Sequence, residues 1–288
     1  MLNWLSDLRV FVSENESELL PMFDVYAGEA SFGRTFIDND LTNLSQGSKI
    51  VEIGAGSLLL SCQLVREGFD IVAVEPIGEG FGHFSRMQEL IILHAKKHSY
   101  MPSMLNLPAE VLNKISCFDY AFSINVMEHV NDVNLCLNAI GKSLKPGGSY
   151  RFTCPNYTFP YEPHFNIPTL FNKKITEKIF YGRIFDNTTV PDPVGTWKSL
   201  NWISVWSIKR FLRQQSVLKG TFNASLLVST FERVLSDGEF VKRRSKWVSR
   251  VIIVIVKLRL HHFLRFIPVS LQPIIDCKIT KIYKIYEG

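Results

Sequence analysis

The sequence predicts a doubly wound, mostly parallel α/β sheet with a helical cap at its start, an insertion at its ligand edge and a basic helical extension at its end. Three observations carry that expectation. Apolar β-formers in Lys49-Ile50-Val51-Glu52-Ile53 run straight into Gly54-Ala55-Gly56, and a helical pattern from Leu58 to Val65 follows at once. That order of strand, tight turn and helix start holds nucleotide-like ligands in sheets of this kind. A second apolar run, Ile71 to Val74, ends in Glu75, placed after the glycines where an acid can grip a ribose diol. Strand-like and helix-like segments then alternate as far as Cys154, which implies parallel strands joined by right-handed crossovers.

The elements follow in order. Over residues 1–46, Trp4, Leu5, Leu8, Phe11 and Val12 keep helical spacing, and this segment is read as a cap over the ligand site. Strands are expected at 49–53, 70–75, 102–106, 118–124 and 149–154, with helices at 57–67, 83–98, 108–115 and 132–144 between them. From Pro155 to Pro168 four prolines and four aromatics crowd into 14 residues. Proline breaks helix and inner strand alike, so this is an ordered loop, and it leaves from the ligand edge of the sheet. A helix at 170–181, a polar lid at 183–199, a helix at 207–215, a strand at 220–225 and a helix at 226–236 complete the domain, including a reversed last strand. The expected division is a cap at 1–46, a main domain at 47–236 with its loop and lid at 155–200, and a basic extension at 237–288.

The first turn limits the ligand. Gly54 and Gly56 let backbone approach where a Cβ would clash. Leu59 stands where a dinucleotide fingerprint wants a third glycine, and Glu52 suits a cationic or neutral ligand better than a pyrophosphate. A nicotinamide dinucleotide is therefore disfavoured.

These residues resemble the class I S-adenosylmethionine-dependent methyltransferases. Glu52-x-Gly54-x-Gly56 is similar to their first motif, Phe118 to Val130 to their fourth strand and its turn, and Leu144-Lys145-Pro146-Gly147-Gly148 to the turn before their fifth strand. The resemblance covers roughly residues 48–155 and implies a Rossmann-like methyltransferase fold, S-adenosylmethionine as cofactor and methyl transfer to oxygen or nitrogen. It implies that Glu52 lies near the cofactor's amino acid moiety, that Gly54, Ala55 and Gly56 form the turn, and that Glu75 holds the ribose. It places Ala109 and Glu110 on the adenine side and Asn125 at the methionine end. The stretch 151–170 is loosely similar to methyltransferases of surface-polysaccharide pathways, which implies a small-molecule or glycan-linked acceptor.

Methyl transfer to a hydroxyl or amine needs a proton acceptor beside the nucleophile. His164, with Glu162 two residues away to orient it, and His129, just past the fourth strand, are the candidates. Glu128, His129 and His164 also resemble the cation site of some small-RNA 2′-O-methyltransferases and quinone-ring O-methyltransferases. Asn125 takes the place of that site's first carboxylate, a loss a hard cation feels, so no metal is expected.

Composition sets the remaining bounds. Five scattered cysteines without a Cys-x-x-Cys read as reduced thiols, and no run is apolar enough to span a bilayer, so a cytoplasmic protein is expected. Residues 1–150 carry 10 Lys/Arg against 18 Asp/Glu, and residues 151–288 carry 22 against 9, so anionic partners are expected for the second half. Nucleic acid is disfavoured because the charge is not interleaved with an RNA-binding module, although an RNA methyltransferase and an inactive cofactor-binding scaffold remain alternatives. Residues 250–267 read as one amphipathic helix, with Arg250, Lys257, His261 and Arg265 on one face and Ile252, Ile253, Val256, Leu260, Phe263, Leu264 and Ile267 on the other. It is expected either to lie on a membrane surface or to cover the domain.

Overall fold

The computed structural model describes residues 2–76, 85–190, 192–235 and 246–283. Among the described residues, seven strands build one sheet: β1 (Lys49–Ile53), β2 (Asp70–Val74), β3 (Ser103–Leu105), β4 (Phe118–Ile124), β5 (Leu144–Pro155), β6 (Leu218–Phe222) and β7 (Ile274–Lys281). Their spatial order is β3-β2-β1-β4-β5-β7-β6. The pairs from β3 to β5 are parallel, whereas β7 runs antiparallel to both of its neighbours. This is the doubly wound sheet that the alternation predicts.

The strands read as continuous apolar runs because both faces are covered. Ile50, Ile71, Tyr120 and Phe122 face a core shared with α1 (Leu2–Asn15), α2 (Leu20–Thr42), α3 (Leu59–Arg66) and α4 (Ser85–Lys97). Val51, Ile53, Ala121 and Phe152 face the other core, with α5 (Val133–Ser143), α8 (Pro193–Ser199) and α9 (Val205–Arg213). Between these lie two short helices, α6 (Lys173–Ile179) and α7 (Tyr181–Phe185), where one helix was expected. Asn172 opens α6 by accepting from the Ile175 amide, the side-chain cap that a helix start requires. Much of the expected polar lid is α8, whose Trp197 is fully packed. The helix expected at 108–115 is only the single turn Ala109–Val111 after Pro108. The start of the helix expected at 83–98 and the end of the one expected at 226–236 lie outside the described residues.

The boundary expected at residue 236 is corrected by β7. Ile275, Cys277 and Ile279 are buried at every second position, so a segment read as basic tail is an inner strand of the sheet and supplies its reversed member. The alternate side chains, Asp276 and Lys278, join a polar network. Arg151 of β5 donates to both oxygens of Asp276 at 2.8–3.0 Å and to Asp40 of α2 at 2.9 Å, while Lys278 donates to Asp40 at 2.6 Å. The Arg151 guanidinium also lies 4.1 Å from the centre of the Phe36 ring. The N-terminal helices therefore share the core and a charge network with the end of the sheet.

The single helix expected over 250–267 is also corrected. A helix spans Lys246–Lys257, Arg259 takes a left-handed conformation (φ 57), and a tighter 3-10 run covers Leu260–Phe266. The break turns His261 inward against Glu232 of α10 (Ser225–Glu232), while Leu260 and Phe263 stand exposed. Among the described residues no helix is long and apolar enough to cross a membrane.

Candidate active site

The turn after β1 is built by backbone conformation. Gly54 (φ 68) and Gly56 (φ 50) are both left-handed. The amides of Gly54 and Ala55 donate to the Val74 carbonyl at the end of β2, at 2.8 and 3.1 Å. A Cβ on Gly54 would sit 2.5 Å from the Val126 methyls, so glycine is obligatory there. At Gly56 no described residue lies within 4 Å of where a Cβ would be, which leaves a cradle above the turn.

Two carboxyls flank this turn. Glu52 is buried beneath it and accepts from the Ser61 hydroxyl of α3. Burial pushes the Glu52 carboxyl up to about 8, opposed by the Ser61 bond and helped by the charge of Glu75. Glu75, at the end of β2, accepts from the Gly56 amide at 2.8 Å, and its carboxyl is also raised by burial. The acid expected to hold the ribose thus also fixes the turn. Gln88 of α4 donates to the Gly56 carbonyl at 2.6 Å.

The second half of the site lies at the carboxyl end of β4. Asn125 is exposed and left-handed (φ 53), with its amide bonded to the Thr153 carbonyl at 2.9 Å. Glu128 follows, fully buried, and neither carboxylate oxygen has a hydrogen-bond partner among the described residues. Burial raises it to about 7, against the pull of His164. His129 Nδ1 meets the Ser199 hydroxyl at 2.8 Å, and that hydroxyl donates to the Thr196 carbonyl. Nδ1 must therefore carry the proton, which makes Nε2 the lone-pair nitrogen. Burial, with His164 and Lys173 nearby, lowers His129 to about 3, so it is neutral at physiological pH.

His164 arrives from the proline-rich loop. Its Nδ1 lies 2.6 Å from Glu162 Oε1, and Glu162 also accepts from the His164 and Phe165 amides and the Tyr157 hydroxyl. Burial works to lower His164, but the bond to Glu162 and the charges of Glu162, Glu128 and Glu29 outweigh it and hold the imidazole above its usual value. The His129 and His164 rings stand edge to face with centroids 5.2 Å apart, and Glu128, His129 and His164 offer donor atoms all within 4.8 Å of one another. The three residues singled out from sequence as bases and orienters are thus brought together, with Glu128 among them.

Ala109 is buried in the core that α5 covers, and Glu110 accepts from the Asn131 and Asp132 amides at 2.6 and 3.3 Å, so its carboxyl fixes the loop ahead of α5. Of the loop aromatics, Tyr157 and Phe165 are packing groups, stacked on Trp202 and set edge-on to Trp197.

A family model described as a methyltransferase domain matches residues 31–214. The chain belongs to the class I S-adenosylmethionine-dependent methyltransferase family. The methyltransferase is 44% identical over 281 residues to an uncharacterized protein of Mycobacterium tuberculosis, spanning 98% of this chain and 95% of that one. It is 30% identical over 126 residues to the mitochondrial ubiquinone biosynthesis O-methyltransferase of Rattus norvegicus, a match covering 43% of this chain and 36% of the relative. Its fold is similar to that of Haemonchus contortus phosphoethanolamine N-methyltransferase 2, with a TM-score of 0.50 at 13% identity, covering 96% of this chain and 60% of that one.

Several residues of the methyltransferase site escape sequence reading because they sit far along the chain. Asn201 donates to the carbonyls of Met127 and Val130, both at 2.8 Å, and so braces the turn presenting Glu128 and His129. Lys173 donates to the carbonyls of Lys198 and Leu200, closing α6 onto α8 beside His129. Neither carries a spacing signal that links it to the turn after β4.

Proposed function

We propose that the methyltransferase acts on a hydroxyl group of a small-molecule or glycan-linked acceptor, with His164 as the base and Glu162 as its orienting carboxylate. The observation that carries this reading is the Glu162–His164 pair, set at the carboxyl edge of the sheet within reach of Glu128 and His129. The left-handed turn, the open cradle at Gly56 and the carboxyl of Glu75 fit the cofactor, and Gly54, Ala55, Gly56, Glu75 and Asn125 would hold it. S-adenosylmethionine supplies an electrophilic methyl group. The chain supplies position and a proton acceptor. Glu162 accepts from Nδ1–H and so leaves His164 Nε2 to take the hydroxyl proton as the oxygen attacks. Neutral His129, held in one tautomer by Ser199, stands beside it. The relatives with ubiquinone-pathway names are O-methyltransferases, which supports oxygen over nitrogen.

A second reading has one observation in its favour. The unpartnered carboxylate of buried Glu128, with His129 and His164, fits a divalent cation, although Asn125 supplies no second carboxylate.

One experiment separates the two. His164→Ala should lower turnover by about 10²–10⁴-fold while S-adenosylhomocysteine affinity is kept, and wild-type turnover should survive dialysis against EDTA. Unchanged turnover in the variant overturns the base assignment. Loss in EDTA with recovery in Mg²⁺ moves all three residues to the cation reading.

A further inference from the structure

The segment 246–271 presents an unusual surface. Val251 and Val254 of the Lys246–Lys257 helix, with Leu258 just past its end, form an outward stripe at helical spacing. The following turn adds Leu260, Phe263 and Phe266, the two phenylalanines 66% and 69% exposed with ring centroids 6.5 Å apart. Arg250, Lys257, Arg259 and Arg265 are exposed among them, and no Asp or Glu occurs between residues 246 and 275. Water-facing groups of this size in one segment mark an interaction surface, and the charge says of what kind.

The segment is also held firmly. His261 is buried against Glu232, and Gln272 donates to the Ile267 carbonyl at 2.9 Å. Asn156 donates through its side chain to the carbonyls of Ser270 and Gln272, and through its amide to that of Pro273. Asn156 is where the loop bearing Glu162 and His164 begins. Because β7 is reversed, its first residue, Ile274, pairs with the last residue of β5, Pro155. The apolar and basic segment therefore meets the sheet at its catalytic edge.

We propose that residues 250–271 dock the methyltransferase on the headgroup layer of an anionic bilayer. Apolar side chains buried at the headgroup boundary, with cations meeting anionic lipid, are the two halves of interfacial binding, and the segment supplies both from a stretch whose own sequence holds no Asp or Glu. An acidic protein or a second copy of the chain would match only one half. A polyanion such as RNA would match the cations and leave Phe263 and Phe266 in water.

Flotation of the full chain with vesicles tests this without any assay of turnover, so failure here leaves the assignment of His164 standing. The probes are vesicles of phosphatidylcholine alone and with about a third phosphatidylglycerol. Binding is expected only to the anionic vesicles and should weaken with salt. Replacing Phe263 and Phe266 together by serine should weaken it by on the order of tenfold or more, and each exposed Lys or Arg changed to Gln by about fivefold. Affinity for S-adenosylhomocysteine, held unchanged in each variant, shows that the fold is intact. Absence of flotation at low salt overturns the proposal, as does flotation indifferent to these substitutions. So does a dimer abolished by the serine pair, or retention on RNA without retention on vesicles.

Discussion

Glu52→Gln is the perturbation whose effect is best defined by the structure. The side chain is buried beneath the Gly54–Gly56 turn, bonded to Ser61, with Glu75 adding a like charge. Its carboxyl is raised from 4.5 to about 8. Between those values the folded protein keeps a proton that the unfolded chain has released, so stability falls as pH rises through the window. At about 1.4 kcal/mol per unit, the full displacement amounts to about 5 kcal/mol above pH 8 and to nothing below pH 4.5. Glutamine keeps the shape and an acceptor for Ser61 but cannot ionise. The variant should lose a constant amount, on the order of 1 kcal/mol, for an amide hydrogen without a partner. Against that it should gain on the wild type by about 1.4 kcal/mol per pH unit from pH 5 to pH 8. Urea unfolding of both proteins at each pH gives the difference directly. Glu128 and the other carboxyls titrate in both proteins and cancel. A difference that stays flat with pH would refute the reasoning and place Glu52 in contact with water.

Glu162→Gln removes the charge that raises His164, so the ascending limb of the pH–rate profile, which reports loss of the His164 proton, should shift to lower pH; an unmoved limb means that another group titrates. Gly54→Ala combines a left-handed φ of 68 with a 2.5 Å approach to Val126, and should lower both melting temperature and S-adenosylhomocysteine affinity, with calorimetry showing whether it does. Asp276→Asn leaves Arg151 with Asp40 as its carboxylate partner and should cost about 1.5–3 kcal/mol in denaturant unfolding, whereas a loss below about 0.5 kcal/mol would show that water reaches the guanidinium.

The parallel half of the sheet was legible because each strand announces itself locally. Val51 and Ile53, or Ala121 and Phe122, need apolar residues on both sides, and a glycine pair or a proline marks where the chain turns. β7 was not, although its alternation is plain once seen. Asp276 and Lys278 look like surface charges until Arg151 and Asp40, more than a hundred positions away, are known to meet them. The site divides in the same way. Gly54, Glu75, His129 and His164 follow from position relative to strands, whereas Asn201 and Lys173 act through backbone carbonyls, and Ser199 through its hydroxyl on His129, at separations that no spacing identifies.

The placement of β7 has a consequence for how the protein is made. β6 ends at Phe222 and β7 begins at Ile274, yet β7 lies between β5 and β6 in the finished sheet. A ribosome extends the chain from its N-terminus, so β5 emerges with one side of its ladder open and must wait for residues 274–281 to fill it. β6 waits too, since among the described residues its one neighbour in the sheet is β7. During that interval the nascent protein carries an exposed, apolar strand edge of the kind that pairs with other chains. Chains arrested before Ile274 should accordingly depend on chaperones, while release of the last strand should convert them at once to a protease-resistant form.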